Sequence, residues 1–362
     1  METKNENESV NVVETTSVIT DERIEKSSML APVDKSNILN VALLFFLSLI
    51  YGVDKVLEVA QMYRLYLFKG FSKDGRYGIG FPQIDLDGKI RQIKAMAYNL
   101  AGKRIKDGEE FLSYNTRSGK YERVIAAADY LCSPIRFLGK ILMRGFDFIN
   151  QQTFFGAHLI EKYPNKIIAI VESEKTAIIG SIEKSEFIWV ATGGQYGCKW
   201  TSPEVYSILQ GREVMLFPDL KATEDWKLRA ETLAAAGINV VVYTKLEEQA
   251  SDEDKALGLD IADFLLRKRI QENPQLVEVP VISNNDVKDA DYKGFDDLFN
   301  GSDINSSEPQ KNSMSSEELK ALLPSDDDLK KYDKKPKTTL EHDFSDIDKI
   351  IGLNSDAVAD IA

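Results

Sequence analysis

Residues 166–181 read KIIAIVESEKTAIIGS. The first six are a short apolar run rich in β-branched side chains, the pattern of a strand buried on both faces. The run stops at Glu172. EKTAIIG then continues as a helix from about Glu174, with Lys175 in its first turn. A carboxylate at that junction is either an ordinary solvated loop acid or the edge of a site.

The same punctuation recurs downstream. EFIWVA (186–191) leads into the loop TGGQYG, and REVMLF (212–217) stops at Pro218-Asp219. TEDWKLRAETLAAA follows as a helix with Trp226, Ala230, Leu233 and Ala234 on one face, and Gly237 ends it. NVVVY (239–243) is the next strand, and GLDIADFLLRKRI gives the last helix after a polar loop. Thr201-Ser202-Pro203-Glu204 has the form of a capping box opening a short helix to about Leu209. Short strands alternating with helices predict an α/β fold, an open parallel sheet with helices on both faces.

Upstream, RYGIGFPQIDLDGKIRQIKAMAYN predicts a hairpin with strands near 77–86 and 89–98 about a tight Asp87-Gly88 turn. VALLFFLSLIYGV (41–53) has 13 apolar-dominated residues, short of the roughly 20 that a membrane span needs, and reads as a buried helix over 38–50 capped by Ser36 or Asn37. A second helix follows Gly52, with Val56, Val59, Ala60 and Tyr63 on one face. Residues 121–160 read as helical or mixed. The expected organisation is a disordered leader (1–36), a smaller basic α+β domain (37–165), the parallel-sheet domain (166–270) and an acidic, largely disordered tail (271–362) with short helical pieces near 315–323 and 343–351.

Charge follows this division. The chain of 362 residues carries a net −13, but 1–36 holds −4 and 271–362 holds −11, which leaves +2 for the body. Within the body, 37–170 is +7 and 171–270 is −5. A basic block beside an acidic one suits phosphate contact from the first half and metal binding in the second. With Cys132, Cys198, His158 and His342 as the sulfur and imidazole ligands available, neither a disulfide framework nor a structural zinc site has support. The cysteine usage fits a reducing, cytoplasmic setting. A Ser/His or Cys/His hydrolase is disfavoured with His158 alone in the folded body. GIGFPQ lacks the third glycine of a dinucleotide fingerprint, and GGQYGCKW is no P-loop.

In sheets of this kind ligands collect beyond the carboxyl ends of the strands. Glu172, Asp219, Asp260 and Asp263 fall there. Four converging carboxylates repel one another unless a cation neutralises them, and Mg²⁺ is the usual cation of all-oxygen sites that also hold phosphate. The alternative is that each is a plain N-cap or turn acid, favourable by roughly 1 kcal/mol.

On these residues the segment from Lys166 to about Arg267 resembles a Toprim domain, the metal-binding fold of topoisomerases, bacterial-type primases and certain nucleases. VES (171–173) is similar to its glutamate motif. FPDLKA (217–222) is similar to its Asp-x-Asp motif, with Lys221 in place of the second aspartate. GLDIADFL (258–265) is similar to the primase-type acidic stretch, and ATGGQYG (191–197) lies where primases carry a small-residue loop. The hairpin and TFFGAHLIEKY resemble the basic subdomain and lead-in helix of bacterial replicative primases, so the likeness spans about 75–270. It is strongest to Toprim-containing, primase-like proteins of bacterial mobile elements. The zinc ribbon that begins replicative primases is absent from the sequence.

The resemblance implies Glu172 as general acid/base or metal ligand, and Asp219, Asp260 and Asp263 as ligands of Mg²⁺ or Mn²⁺. Lys221 would stand in for one of two metals, and Lys175 would reach a phosphate. Gly193 and Gly194 would offer backbone amides to a phosphate. Lys89, Arg91, Lys94, Lys103, Arg104 and Lys106, with Tyr98 among them, would form a face for single-stranded DNA. Three functions are then open. The first is primer synthesis from nucleoside triphosphates, the second a degenerate DNA-binding or replication-accessory module, and the third a Toprim nuclease. The acidic tail would dock a helicase or polymerase, or shield the basic face. No membrane role is implied.

Overall fold

The computed structural model describes residues 14–115, 117–127, 132–194 and 197–273. The tail beyond 273 and its two expected helical pieces lie outside the described residues, as do 1–13.

The stretch 166–181 folds as its pattern dictates. Strand Ile167–Val171 runs into helix Glu174–Glu183, whose N-cap Ser173 accepts a hydrogen bond from the Thr176 amide at 3.1 Å. Strands Phe187–Ala191 and Glu213–Leu216 pair with it in parallel, and Asn239–Val242 pairs in parallel with Glu213–Leu216, in the order 187–191, 167–171, 213–216, 239–242. Ile168, Ala169, Ile170 and Val171 are completely buried, so strand Ile167–Val171 is an inner strand of the sheet. Helices Glu174–Glu183, Thr223–Ala235 and Ile261–Glu272 flank the sheet. Two short helices, Lys245–Gln249 and Asp252–Leu257, occupy what reads in sequence as a polar loop. Ser202 makes no side-chain cap for the short helix Pro203–Tyr206, so the expected capping box is not formed there.

Before this sheet, seven antiparallel strands among the described residues form a second one. Its central members are the hairpin strands Arg76–Ile84 and Ile90–Met96, flanked by Tyr66–Lys73 and Ile135–Phe137. The hairpin stands where its sequence places it, but its turn is wider than the Asp-Gly pair suggests. The Asp85 and Lys89 backbones close it, the Asp85 carboxylate accepts from the Lys89 amide at 2.9 Å, and Gly88 takes φ +78°. Both faces of this hairpin are covered, one by each of two apolar clusters.

Two expectations are corrected here. Residues 14–36 are not a free leader. Thr15–Thr16 pairs with Asp147–Phe148, helix Asp21–Lys26 is capped by Thr20, and Leu30–Pro32 adds to strand Tyr66–Lys73. Ile19, Ile24, Leu30 and Val33 are buried and hold this stretch down. Their irregular spacing among polar residues hides them from a periodicity argument. The described residues of 121–160 are mixed, as expected, with strand and turn, a short helix at Gly139–Leu142 and a 3-10 turn at Ala157–Leu159. The apolar run 41–53 is a buried helix, Ala42–Tyr51, entered through a 3-10 turn at Ile38–Asn40 rather than capped by Ser36 or Asn37. Among the described residues no helix is long and apolar enough to cross a membrane.

One apolar cluster runs from helices Ala42–Tyr51 and Val53–Met62 through Ile79 and Phe81 into the parallel sheet. Tyr63 is the polar tie within it. It is fully buried, stacks on Phe155 with ring centroids 4.7 Å apart, and its hydroxyl donates to the Trp189 carbonyl while meeting Ser181 Oγ at 2.7 Å. Gly156, at φ +86°, passes so close to the Tyr63 ring that a Cβ would lie 2.8 Å from it. Tyr63→Phe leaves the Trp189 carbonyl without that donor inside the protein. It is expected to cost about 1–3 kcal/mol and to lower the midpoint of thermal unfolding by about 3–6 °C, measured calorimetrically.

Candidate metal and phosphate site

The sheet delivers two carboxylates to its carboxyl edge and a helix start delivers two more. Glu172 immediately follows strand Ile167–Val171, and Asp219 lies three residues past strand Glu213–Leu216. Asp260 is the N-cap of helix Ile261–Glu272, with Asp263 in that helix's first turn. Lys175 and Thr176 arrive on the first turn of helix Glu174–Glu183. The helix starts bring the positive ends of two helix dipoles to the same edge, which favours negative charge there.

The acids act on one another electrostatically. Asp219 is pushed up to about 8, first by burial and then by the negative charges of Asp260, Glu172 and Asp263, with Lys175 pulling the other way. Burial raises Asp260 as well, with Asp263 adding to the rise, while Lys175 and the Thr176 hydroxyl oppose it. The partnering differs. Asp260 and Asp263 form a reciprocal capping box, each carboxylate accepting the other's backbone amide at 3.1 Å, and Asp260 also accepts from the Thr176 hydroxyl. The Asp219 carboxylate has no hydrogen-bond donor among the described residues.

Lys221 does not face this cluster. It is exposed, takes the left-handed φ of +71°, and its backbone amide donates to Glu247 at 2.8 Å. The cation that acts on Asp219 and Asp260 is Lys175. Gly193 and Gly194 are both left-handed, at φ +90° and +91°, and both amides donate to the Glu172 carbonyl at 3.0 Å. They clamp the backbone of Glu172 instead of opening toward a ligand.

The seven hairpin residues separate. Lys89, Lys103, Arg104 and Lys106 are exposed, and Lys89 lies 3.3 Å from Asp87. Arg91 is buried, pairing with Asp85 at 2.7 Å and donating to Ser17 Oγ at 2.7 Å. Tyr98 is 5% exposed, so its ring face is not open to a base. Lys94 is buried against Glu174, Nζ to Oε2 at 3.0 Å, and donates to the Gly193 carbonyl at 2.8 Å. The hairpin is covered on both faces, so its inward-pointing cations are structural partners and not a solvated patch. Sequence reasoning missed Thr176, Glu174 and Glu247. Only Glu174 carried a signal, as a second acid directly after a helix N-cap.

Among the described residues no three His, Cys, Asp or Glu side chains stand close enough together to make a ready metal cage. Mg²⁺ seldom uses one: it keeps several waters and takes one or two carboxylates plus substrate phosphates. Glu172 and Asp219 match that donor set. Asp260 and Asp263 have part of their capacity committed to the capping box.

Residues 41–220 match the family model described as a domain of unknown function, DUF6371. No curated protein matches the chain. Distantly similar solved structures include the primase fragment of the bacteriophage T7 primase-helicase protein, 13% identical, with a TM-score of 0.30 over 61% of this chain and 70% of that one. The RNA polymerase domain of Mycobacterium tuberculosis primase DnaG is 14% identical, with a TM-score of 0.27 over 63% and 70%. The Aquifex aeolicus primase, zinc-binding and RNA polymerase domains, is 15% identical, with a TM-score of 0.28 over 72% and 58%.

The raised Asp219 predicts a pH dependence. The native carboxyl keeps its proton up to about pH 8, while the unfolded chain loses it near about 3.9. Between these values the native state binds more protons, so its stability falls as pH rises. Asp219→Asn removes that titration. In chelator, the variant's unfolding midpoint is expected to exceed that of the unmodified protein by a margin that widens by about 5 °C from pH 5 to pH 8. A margin independent of pH would contradict the convergence of acids on Asp219.

Proposed function

We propose that the carboxyl edge of the parallel sheet is a divalent-cation site for phosphate chemistry on nucleic acid, of the primase-like nucleotidyl-transfer kind that the Toprim resemblance implies. The observation that carries this reading is the Asp219 carboxylate, held with Glu172, Asp260 and Asp263 around it and no donor to satisfy it. Without a cation the Asp219 carboxyl keeps a proton into neutral pH; a divalent cation among the same acids would displace that proton and satisfy the carboxylate. Glu172 and Asp219 are the ligands, and Asp260 and Asp263 add negative field from the capping box. Bound there, Mg²⁺ or Mn²⁺ would supply charge neutralisation and alignment of a triphosphate with a 3′-hydroxyl. Lys175 is placed to meet a phosphate oxygen. Exposed Lys103, Arg104 and Lys106 supply the backbone contacts to single-stranded DNA, a role that buried Arg91, Lys94 and Tyr98 are not free to take. The net −11 of residues 271–362 suits a basic face on a helicase or polymerase partner.

A second reading has its own support. The capping box occupies two of the acids and Lys221 replaces an expected aspartate, as in a module that kept the fold for DNA binding and lost the metal.

Titration of the full chain with Mn²⁺, read by calorimetry, separates them. The first reading expects one saturable site, weakened at least about tenfold by Glu172→Gln and by Asp219→Asn, together with nucleotide incorporation on a single-stranded template. Binding without incorporation, or no binding with single-stranded DNA present, selects the accessory module. Metal-dependent strand cleavage selects a nuclease.

A further inference from the structure

The least expected feature is a buried charge network between the antiparallel hairpin and the acid edge. Lys94 lies on strand Ile90–Met96 and Glu174 opens the helix that follows Glu172. Their side chains are 8% and 2% exposed, and their charges lie 3.0 Å apart. Taking two charges out of water costs several kcal/mol per ion, and well-packed apolar residues would be at least as stable in their place. The pair is also incomplete as a structural device, because Glu174 Oε1 is buried with no partner among the described residues. A side chain kept at that expense is worth asking about for what else it holds.

Lys94 also holds the Gly193 carbonyl, at 2.8 Å. The amides of Gly193 and Gly194 converge on the Glu172 carbonyl, each at 3.0 Å, and Thr192 Oγ1 reaches the same oxygen at 3.4 Å. The loop closes on itself as the Gly197 amide donates to the Gly194 carbonyl and the Cys198 amide to the Thr192 carbonyl, both at 2.8 Å. Lys94 therefore holds the Glu174 carboxylate and the carbonyl of the loop whose amides clamp Glu172. Glu174 lies two residues after it, and the Gly193–Gly194 turn clamps its carbonyl. Of these contacts, those of the Gly193 and Gly194 amides end on the Glu172 carbonyl itself, and those of Lys94 end on Glu174 and on Gly193.

We infer that Lys94 is the positioning residue of Glu172, fixing through Glu174 and the Gly193 carbonyl where that carboxylate stands at the sheet edge. The consequence for metal affinity rests on the reading under Proposed function; the consequence for the loop does not. A basic residue of the hairpin, suited by sequence to DNA, thus serves the acid site from behind. The stem of Lys94 crosses from one sheet to the other, so the hairpin sets the geometry of an edge to which it contributes no ligand.

Lys94→Met alone strands a buried carboxylate and is expected to unfold the protein. The informative variant is Lys94→Met/Glu174→Gln in the full chain, which removes both charges and keeps the volumes. It is expected to retain an unfolding midpoint near that of the unmodified protein. Hydrogen exchange of the Gly193 and Gly194 amides should become at least about tenfold faster, with strands Ile167–Val171 and Phe187–Ala191 unchanged. Mn²⁺ affinity should fall about ten- to a hundredfold, as for loss of a group that orients a ligand. A folded double variant whose Gly193 and Gly194 amides exchange at the unmodified rate overturns the inference, as does one with unmodified Mn²⁺ affinity. If the unmodified protein binds no Mn²⁺, the metal reading fails by itself and the exchange rates still decide the role of Lys94.

Discussion

Burial of strand Ile167–Val171 on every side is the constraint from which the rest follows. It has a parallel neighbour on each edge and apolar cover over residues 168–171. An inner strand of this kind tolerates no charge along its length, so the first ionisable group after Val171 can stand only where the sheet ends. Beyond its exposed first residue Glu213, the same holds for strand Glu213–Leu216, whose continuation Phe217-Pro218 stays buried until Asp219. Two acids about 45 residues apart are thereby delivered to one edge by the rule that keeps parallel strands dry. The helix starts at Ser173 and Asp260 add dipoles that favour negative charge at that edge. Burial first, and then the repulsion of its neighbours, raise Asp219, and Lys175 offsets only part of that rise.

This part of the fold was legible because each strand is a short apolar run with a charged stop. The wider Asp85–Lys89 turn was less so, since an Asp-Gly pair signals a reversal without fixing its length. The attachment of residues 14–36 was invisible, because four buried side chains scattered among polar ones make neither a helical nor an alternating pattern. The site divides in the same way. The acids could be placed at strand ends from sequence, whereas the partner of each could not. Asp260 and Asp263 read as ligands, yet their spacing of three is also the spacing of a capping box, and the structure uses it as one. Arg91 and Lys94 looked solvent-facing because alternation in a strand assigns one face to water, and here neither face is exposed.

Lys221 and Lys175 show why a motif position is a weaker guide than a field. Lys221 occupies the place of a family aspartate and was given a metal's role on that ground. Its backbone turns into the left-handed region and its amide joins Glu247, which carries the side chain outward. Lys175 holds no motif aspartate's place, but one helical turn puts it where it lowers the cost of ionising both Asp219 and Asp260. A unit charge about 4 Å away in a partly buried site is worth several kcal/mol and fades quickly when it reaches solvent. Direction therefore decides more than sequence identity does.

The two sheets are joined by apolar packing and by a few polar ties of unequal kind. Tyr63 is a neutral tie, satisfied at both ends, and its value lies in leaving no buried carbonyl without a donor. Lys94 and Glu174 are a charged tie with one oxygen left over. A neutral tie alone would have held the seam at lower cost. What the charged one adds is orientation: an ammonium with three donors reaches at once the Glu174 carboxylate, two residues after Glu172, and the carbonyl of the loop that clamps Glu172. The seam is thus cheap where it only joins and costly where it aims, and the costly part lies directly beneath the acids.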